Sequence, residues 1–188
     1  SAESDVYKRQ DLDNLPLGEY KVVEKTAPEG FVLNKEEQKI SFVYADQDTP
    51  VISQSAEFIN DRQKVEVSVV KKDAENEKGL SGVEFGLYAK EDIKAGDTVL
   101  VKADELLTKA VTGEDGKTVF EQDLPFGTYY IKELAAPDGF VSSDEQIEVT
   151  AKYQGQEVKT VKLETVFRNA PTTTEFTKSD ITTGVELD

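Results

Sequence analysis

One stretch of this chain occurs twice, and the repetition restricts the fold more than any other feature. LPLGEYKVVEKTAPEGFV (15–32) aligns without a gap to LPFGTYYIKELAAPDGFV (124–141), shifted by 109 positions. Each copy leads, after a variable stretch, to a short apolar segment ending in Asn. The interval from Glu24 to Asn60 is 36 positions, and so is that from Glu133 to Asn169. A second element follows each Asn: VSVVKKDAENEKGL (67–80) resembles TEFTKSDITTGVEL (174–187), with Lys71 and Lys178 in matching places. Self-similarity of this period signals tandem copies of one structural unit, here read as Lys…Glu…Asn. Residues 11–62 are then the C-terminal half of one unit and 63–170 a complete unit. Residues 171–188 are a linker and the first strand of a third. The Pro/Thr stretch NAPTTT (169–174) reads as a linker between beads on a string. DVYKRQ (5–10) matches an in-frame translation of a transposase end sequence, so residues 1–10 are expected to be non-native and are set aside.

Period-two alternation dominates the complete unit, and helical periodicity is hard to find. Seven strands are expected: Val65–Lys72, Val83–Ala89, Leu107–Thr112, Lys117–Glu121, Gly127–Glu133, Ile147–Tyr153 and Val158–Arg168. TGEDGKT (112–118) reads as a hairpin turn with Gly available for positive φ, and AAPDGF (135–140) as a Pro/Gly turn. The stretch between Tyr88 and Leu106 is a long excursion with room for a short strand or helix. Short strands at this spacing imply all-β architecture, two antiparallel sheets packed as a sandwich.

Three strands carry an anomaly. Val65, Val67, Val69 and Lys71 share a face; so do Tyr129, Ile131 and Glu133, and so do Val161, Leu163, Thr165, Phe167 and Asn169. Each apolar stripe ends in one polar residue: an amine, a carboxyl and a carboxamide. Buried without partners, such groups cost a few kcal/mol each, and an unpaired charge more. Pattern alone allows a buried Lys–Glu ion pair with Asn hydrogen-bonded beside it, or partial exposure at the strand ends.

VVKKDAENEKGLSGVEFGLY, LPFGTYYIKELAAPDGF and VFRNAP resemble the CnaB-type domains, also called SpaA-like or prealbumin-like, of Gram-positive surface and pilus proteins. The resemblance spans essentially all of 11–188. It implies tandem Ig-like or prealbumin-like β-sandwiches, one complete and two truncated. In that family a Lys and an Asn side chain join spontaneously in an intramolecular isopeptide bond, assisted by an acidic residue. By resemblance Lys71 is the nucleophile, Asn169 the electrophile and Glu133 the catalytic acid. Glu133 would polarise the Asn169 oxygen and move protons to the departing ammonia. Glu24 and Asn60 are the second and third members of a triad whose Lys would lie upstream. Lys178 is the first member of a triad whose partners would lie downstream. The half unit 18–60 is expected to be poorly packed, with docking of the Lys178 strand onto its edge as the less favoured alternative.

Composition excludes other chemistry. There is no His and no Cys, which removes most zinc sites, thiol catalysis, the Ser-His-Asp arrangement and disulfides. The net charge of −16 opposes binding to nucleic acid or to an anionic membrane. LPLGE and LPFGT lack the Thr-Gly order of a sortase signal, and GEDGK and SSDEQ lack calcium-loop spacing. The expectation is therefore a structural stalk segment of an extracellular, cell-wall-anchored protein, with no cofactor, no metal and no turnover. Its partners would be neighbouring repeat domains. The alternative is an adhesive module for a host or extracellular-matrix ligand, with the Tyr88–Leu106 excursion as its recognition surface. That excursion contains no aromatic residue, which favours the stalk.

Overall fold

The computed structural model describes Leu12 and residues 14–175. Eleven strands and no helix are present among the described residues. Residues 11–62, the expected half unit, contribute β1 (Gly18–Val23) and β2 (Glu37–Phe42), an antiparallel pair. The complete unit contributes the rest: β3 (Lys64–Asp73), β4 (Glu84–Ala89), β5 (Ile93–Ala95), β6 (Thr98–Val101), β7 (Leu106–Val111), β8 (Lys117–Phe120), β9 (Gly127–Ala135), β10 (Gln146–Ala151) and β11 (Thr160–Asn169). The chain is thus all-β. All seven expected strands are present with ends shifted by a residue or two, and the excursion after Tyr88 is the hairpin β5–β6.

Two sheets enclose one core. The first runs β10-β9-β4-β7 and the second β11-β3-β8. Their inner faces supply Phe85, Leu87, Tyr129 and Ile131 from one side and Val67, Val69, Val161 and Phe167 from the other, all with no exposed surface. These are the period-two stripes of the sequence. Ile93 of the β5–β6 hairpin is buried against Gly127, where a Cβ would lie 2.8 Å from its Cδ1. The hairpin is thereby tied to the sandwich by one apolar side chain.

Two topological expectations are corrected. The sheets are not purely antiparallel, because β3 and β11 pair in parallel, with Val161 opposite Val65 and Phe167 opposite Lys71. Nor does TGEDGKT close a hairpin within one sheet. Gly113 and Lys117 share the tight-turn hydrogen bond, yet β7 pairs with β4 while β8 pairs with β3. The turn crosses from sheet to sheet, and local turn chemistry is the same in both cases.

Gly116 in that turn has φ +76 and sits behind β3. Its carbonyl accepts the Lys71 N–H, and a Cβ there would lie 2.5 Å from the Lys71 oxygen and 2.6 Å from the Gly79 Cα. Gly82 has a similar φ of +77 with nothing within 4 Å. Gly82→Ala should therefore cost only the left-handed backbone penalty, about 1–2 kcal/mol. Gly116→Ala adds a steric clash and should destabilise clearly more. Urea midpoints of the two variants check this, and equal losses would show that the close approach behind Lys71 has no energetic weight.

Candidate functional site

The polar residues that end the three stripes meet between the sheets. Lys71 lies near the end of β3 and Asn169 is the last residue of β11, two positions past the partner of Lys71, so both project from one face of neighbouring strands. Glu133 comes from β9 in the opposite sheet, facing Phe85 across the ladder. Past Glu133 the ladder shifts register: Phe85 pairs with Glu133 but Glu84 with Ala135, leaving Leu134 as an extra residue. Bulges re-aim side chains, and this one ends the regular pairing at the residue that reaches the site.

The Lys71 Nζ donates to Glu133 Oε2 at 2.6 Å and to Asn169 Oδ1 at 2.5 Å. The Asn169 Nδ2 donates to Glu133 Oε1 and Oε2 at 2.8 and 3.0 Å. The ring therefore closes on itself, with one carboxyl touching both nitrogens. The expected contact of the carboxyl with the Asn169 oxygen is not the one formed; Oδ1 instead accepts from the amine. The Ser143 N–H, from the segment after the Pro/Gly turn, completes the carboxyl's partners at 3.4 Å.

Water has little access here. The side chains of Lys71 and Glu133 are wholly buried, and Asn169 is 2% exposed. The rings of Phe85 and Phe167 pack 4.9 Å apart on one side of the amine, with centroids 5.8 and 5.7 Å from Nζ. Burial holds the Lys71 amine below the usual lysine value of 10.5, against the hydrogen bond and charge of Glu133 and the charge of Glu145. The proton is thus more easily released than from a solvated lysine.

Sequence reasoning missed several supporting groups. Phe85 was legible as part of an expected strand but, lying outside the repeated elements, not as a neighbour of the amine, and Ser143 acts through its backbone, which leaves no sequence signal. Asp73 follows Lys71 by two positions, as Asp180 follows Lys178, but nothing in the sequence assigned it a role. Its carboxylate accepts the Glu75 N–H and the Asn76 amide, building the turn that ends β3. On the outer face, Glu77 bridges Arg168 of β11 and Lys72 of β3. Those cations hold its carboxyl down at about 2, so their contribution, present above the ordinary value of 4.5, is lost as pH falls toward 2.

The half unit reproduces part of this geometry in the 109-residue register. Asn60 Nδ2 donates to Glu24 at 2.6 Å, and the Asn34 N–H donates to the same oxygen at 2.8 Å. Glu24 and Asn60 are only half-buried there. Lys178 lies outside the described residues. Among the described residues no cluster of metal-ligating side chains occurs and no helix is long and apolar enough to cross a membrane.

The two packed sheets, with an amine, a carboxyl and a carboxamide buried between them, make this a β-sandwich. The chain belongs to the SpaA family of prealbumin-like fold domains, whose model matches residues 4–57 and 65–165. Among solved structures, the Bacillus anthracis TIE protein is 26% identical with a TM-score of 0.57, over 84% of this chain and 26% of that one. The major pilin SpaD of Corynebacterium diphtheriae is 23% identical, TM-score 0.46, over 63% of this chain and 33% of that one. BcpA, the major pilin subunit of Bacillus cereus, is 25% identical in its D312A form, TM-score 0.40, over 57% and 29%. The chain spans a third or less of the length of each of these three. No curated protein matches it.

Removing one partner of a buried ion pair strands the other. Lys71→Met leaves the Glu133 carboxyl buried without its amine, and Lys71→Met with Glu133→Leu, which removes that carboxyl as well, should be more stable than the single variant by roughly 3 kcal/mol. Denaturation midpoints of the two chains test this; a double variant no more stable than the single one would show that the pair is not the buried charge problem described.

Proposed function

We propose that the complete unit is a structural stalk segment of a bacterial cell-surface, pilus-like protein, covalently closed by an isopeptide bond between Lys71 and Asn169. The observation that carries this reading is the closed ring of contacts among Lys71, Glu133 and Asn169 in a dry space. The neutral amine attacks the Asn169 Cγ. The Cγ–Nδ2 bond breaks, and a proton lost by Nζ travels through the Glu133 carboxyl to Nδ2. Ammonia departs, one amide has replaced another, and Glu133 ends as it began. A carboxyl touching nucleophile and leaving group together suits this single proton relay better than it suits polarising the oxygen. Holding the groups in contact supplies much of the reactivity that free lysine and asparagine lack. The reaction occurs once per unit, so the chain has no turnover and is not an enzyme.

The link would bridge residues 98 positions apart, the first and last strands of the unit. Closing a loop of that size stabilises by about 4–5 kcal/mol in the chain-entropy picture. Tension applied at the two ends of the unit would run along β3, cross the link and leave beyond β11, bypassing the intervening strands. The family and its pilin relatives support an extracellular, wall-attached setting and neighbouring units as partners. Glu24 and Asn60 are assigned, on the same reasoning, to a site that takes its lysine from a preceding strand. Lys178 is assigned to the site of a following unit. The adhesive alternative has less support: the β5–β6 hairpin exposes Val99 and Leu100 but carries no aromatic group, and scattered apolar side chains are ordinary surface.

Intact-mass measurement should find the chain lighter by one ammonia, and Glu133→Ala should restore the full mass. When the chain is refolded from denaturant at a series of pH values, bond formation should accelerate with rising pH. Acceleration should begin at a lower pH than for a solvated lysine, because burial holds the folded amine below the ordinary value of 10.5. A wild-type chain that keeps its full mass after prolonged folding would refute the bond.

A further inference from the structure

The boundary between the half unit and the complete unit is not a loose tether. Arg62 pairs with Phe31 in a β-bridge, and β3 begins at Lys64, leaving no free linker between them. Gln63, wholly buried, joins both sides. Its N–H donates to Gly30 O of the half unit at 2.8 Å. Its side chain donates to Gly155 O and Val158 O and accepts from the Gln154 N–H, fixing a turn of the complete unit between β10 and β11. That turn then reaches back. Gln156 accepts the Ala27 N–H at 2.8 Å and donates to Lys25 O at 3.2 Å, while its backbone oxygen accepts the Leu33 N–H at 2.9 Å. Ala27 is buried as a result.

The geometry points to a latch: the turn Gln154–Val158 is an interaction surface built to grip the strand and Pro/Gly turn of the preceding unit, setting the orientation of successive units and splinting the preceding unit's reactive pair. Two features carry this. First, a carboxamide that satisfies one N–H and one C=O two residues apart mimics a strand's own pairing, so it recognises backbone in one register and not side-chain chemistry. Second, the segment it holds is the one that organises Glu24 and Asn60. Leu33, bonded to Gln156, precedes Asn34, whose N–H donates to Glu24, and follows Val32, whose oxygen accepts from Asn60. The Lys35–Glu157 ion pair lies at the same joint but is well exposed, and such pairs contribute little. The partner this surface fits is therefore the backbone of another unit of the same family, presented by the A-P-x-G-F turn.

The complete unit shows the receiving half of the same joint. Its Thr172 N–H donates to Gly139 O at 2.8 Å and Pro171 bridges Phe140, as Gln63 and Arg62 do with Gly30 and Phe31. The clip between exit strand and Pro/Gly turn is thus a property of the repeat.

Backbone amide exchange in the full chain, read by NMR, tests the latch. The amides of Ala27, Leu33 and Asn34 should exchange slowly in the unaltered chain. Gln156→Ala should speed exchange at Ala27 by roughly fivefold, the effect of losing about 1 kcal/mol of net hydrogen bonding, and should also speed Leu33 and Asn34. Glu157→Gln should leave all three within about twofold of the unaltered chain. Val67 and Leu87, in the core of the complete unit, should stay protected throughout and so exclude general unfolding. Fast exchange of Ala27 and Leu33 in the unaltered chain, or unchanged exchange after Gln156→Ala, overturns the latch. Intact mass of the same samples reads the Lys71–Asn169 link separately, so either proposal can fail alone.

Discussion

A lysine amine held against a glutamate carboxyl and beside a packed pair of phenylalanine rings governs the architecture of this chain. A charge in such a place is tolerated only with its partner, because the dry interior offers no other compensation. The constraint reaches outward from there. It requires Lys71 and Asn169 on neighbouring strands of one sheet and Glu133 from the opposite sheet, so the sandwich must close in one register. It requires Phe85 and Phe167 to exclude water, and a tight glycine contact to hold the backbone of β3 at Lys71. A slip of one residue on any of the three strands would turn a polar group outward and leave the others stranded.

The half unit acts as an internal comparison for what the local sequence dictates. Without counterparts of β3 and β4 among the described residues, it still forms the pairing of β1 with β2 in the register that joins β9 to β10. The Tyr20 hydroxyl donates to Pro16 O as Tyr129 does to Pro125 O. The Glu–Asn contact forms as well. What differs is burial: Val23, Val43, Tyr44 and Ile59 are exposed, and the acid–amide pair is only partly covered. Local turn and pairing chemistry therefore produces the geometry of the pair, while the facing sheet supplies the dry environment that lowers the lysine's affinity for its proton.

How much of this was legible in the sequence follows the same division. Period-two stripes identified Val65–Lys71 and Tyr129–Glu133 as inward faces because alternation is a local consequence of the pleat. The repeat located the matching Glu and Asn because copies preserve spacing. The parallel partnership of β3 with β11 was invisible, since pairing between strands so far apart leaves no mark in either. The sheet-to-sheet turn at Gly113–Lys117 looked like a hairpin because both use the same glycine chemistry. The joint at Gln63 and Gln156 was not foreseen, for a different reason. Its contacts are mostly to backbone, which no sequence pattern displays, and glutamine in a polar stretch looks like any solvated residue.

The parallel pairing of first and last strands also fixes how a string of such units would lengthen. A strand that leads into the unit and a strand that leads out of it run side by side in the same direction, so the path advances by one strand length from end to end. Ten residues of β3 span about 33 Å at roughly 3.3 Å per residue. The repeat period is 109 residues, so most of each unit adds breadth and very little adds reach. A fibre made this way is short for its mass, thick in section and polar from one tip to the other, and its two ends can never be interchanged.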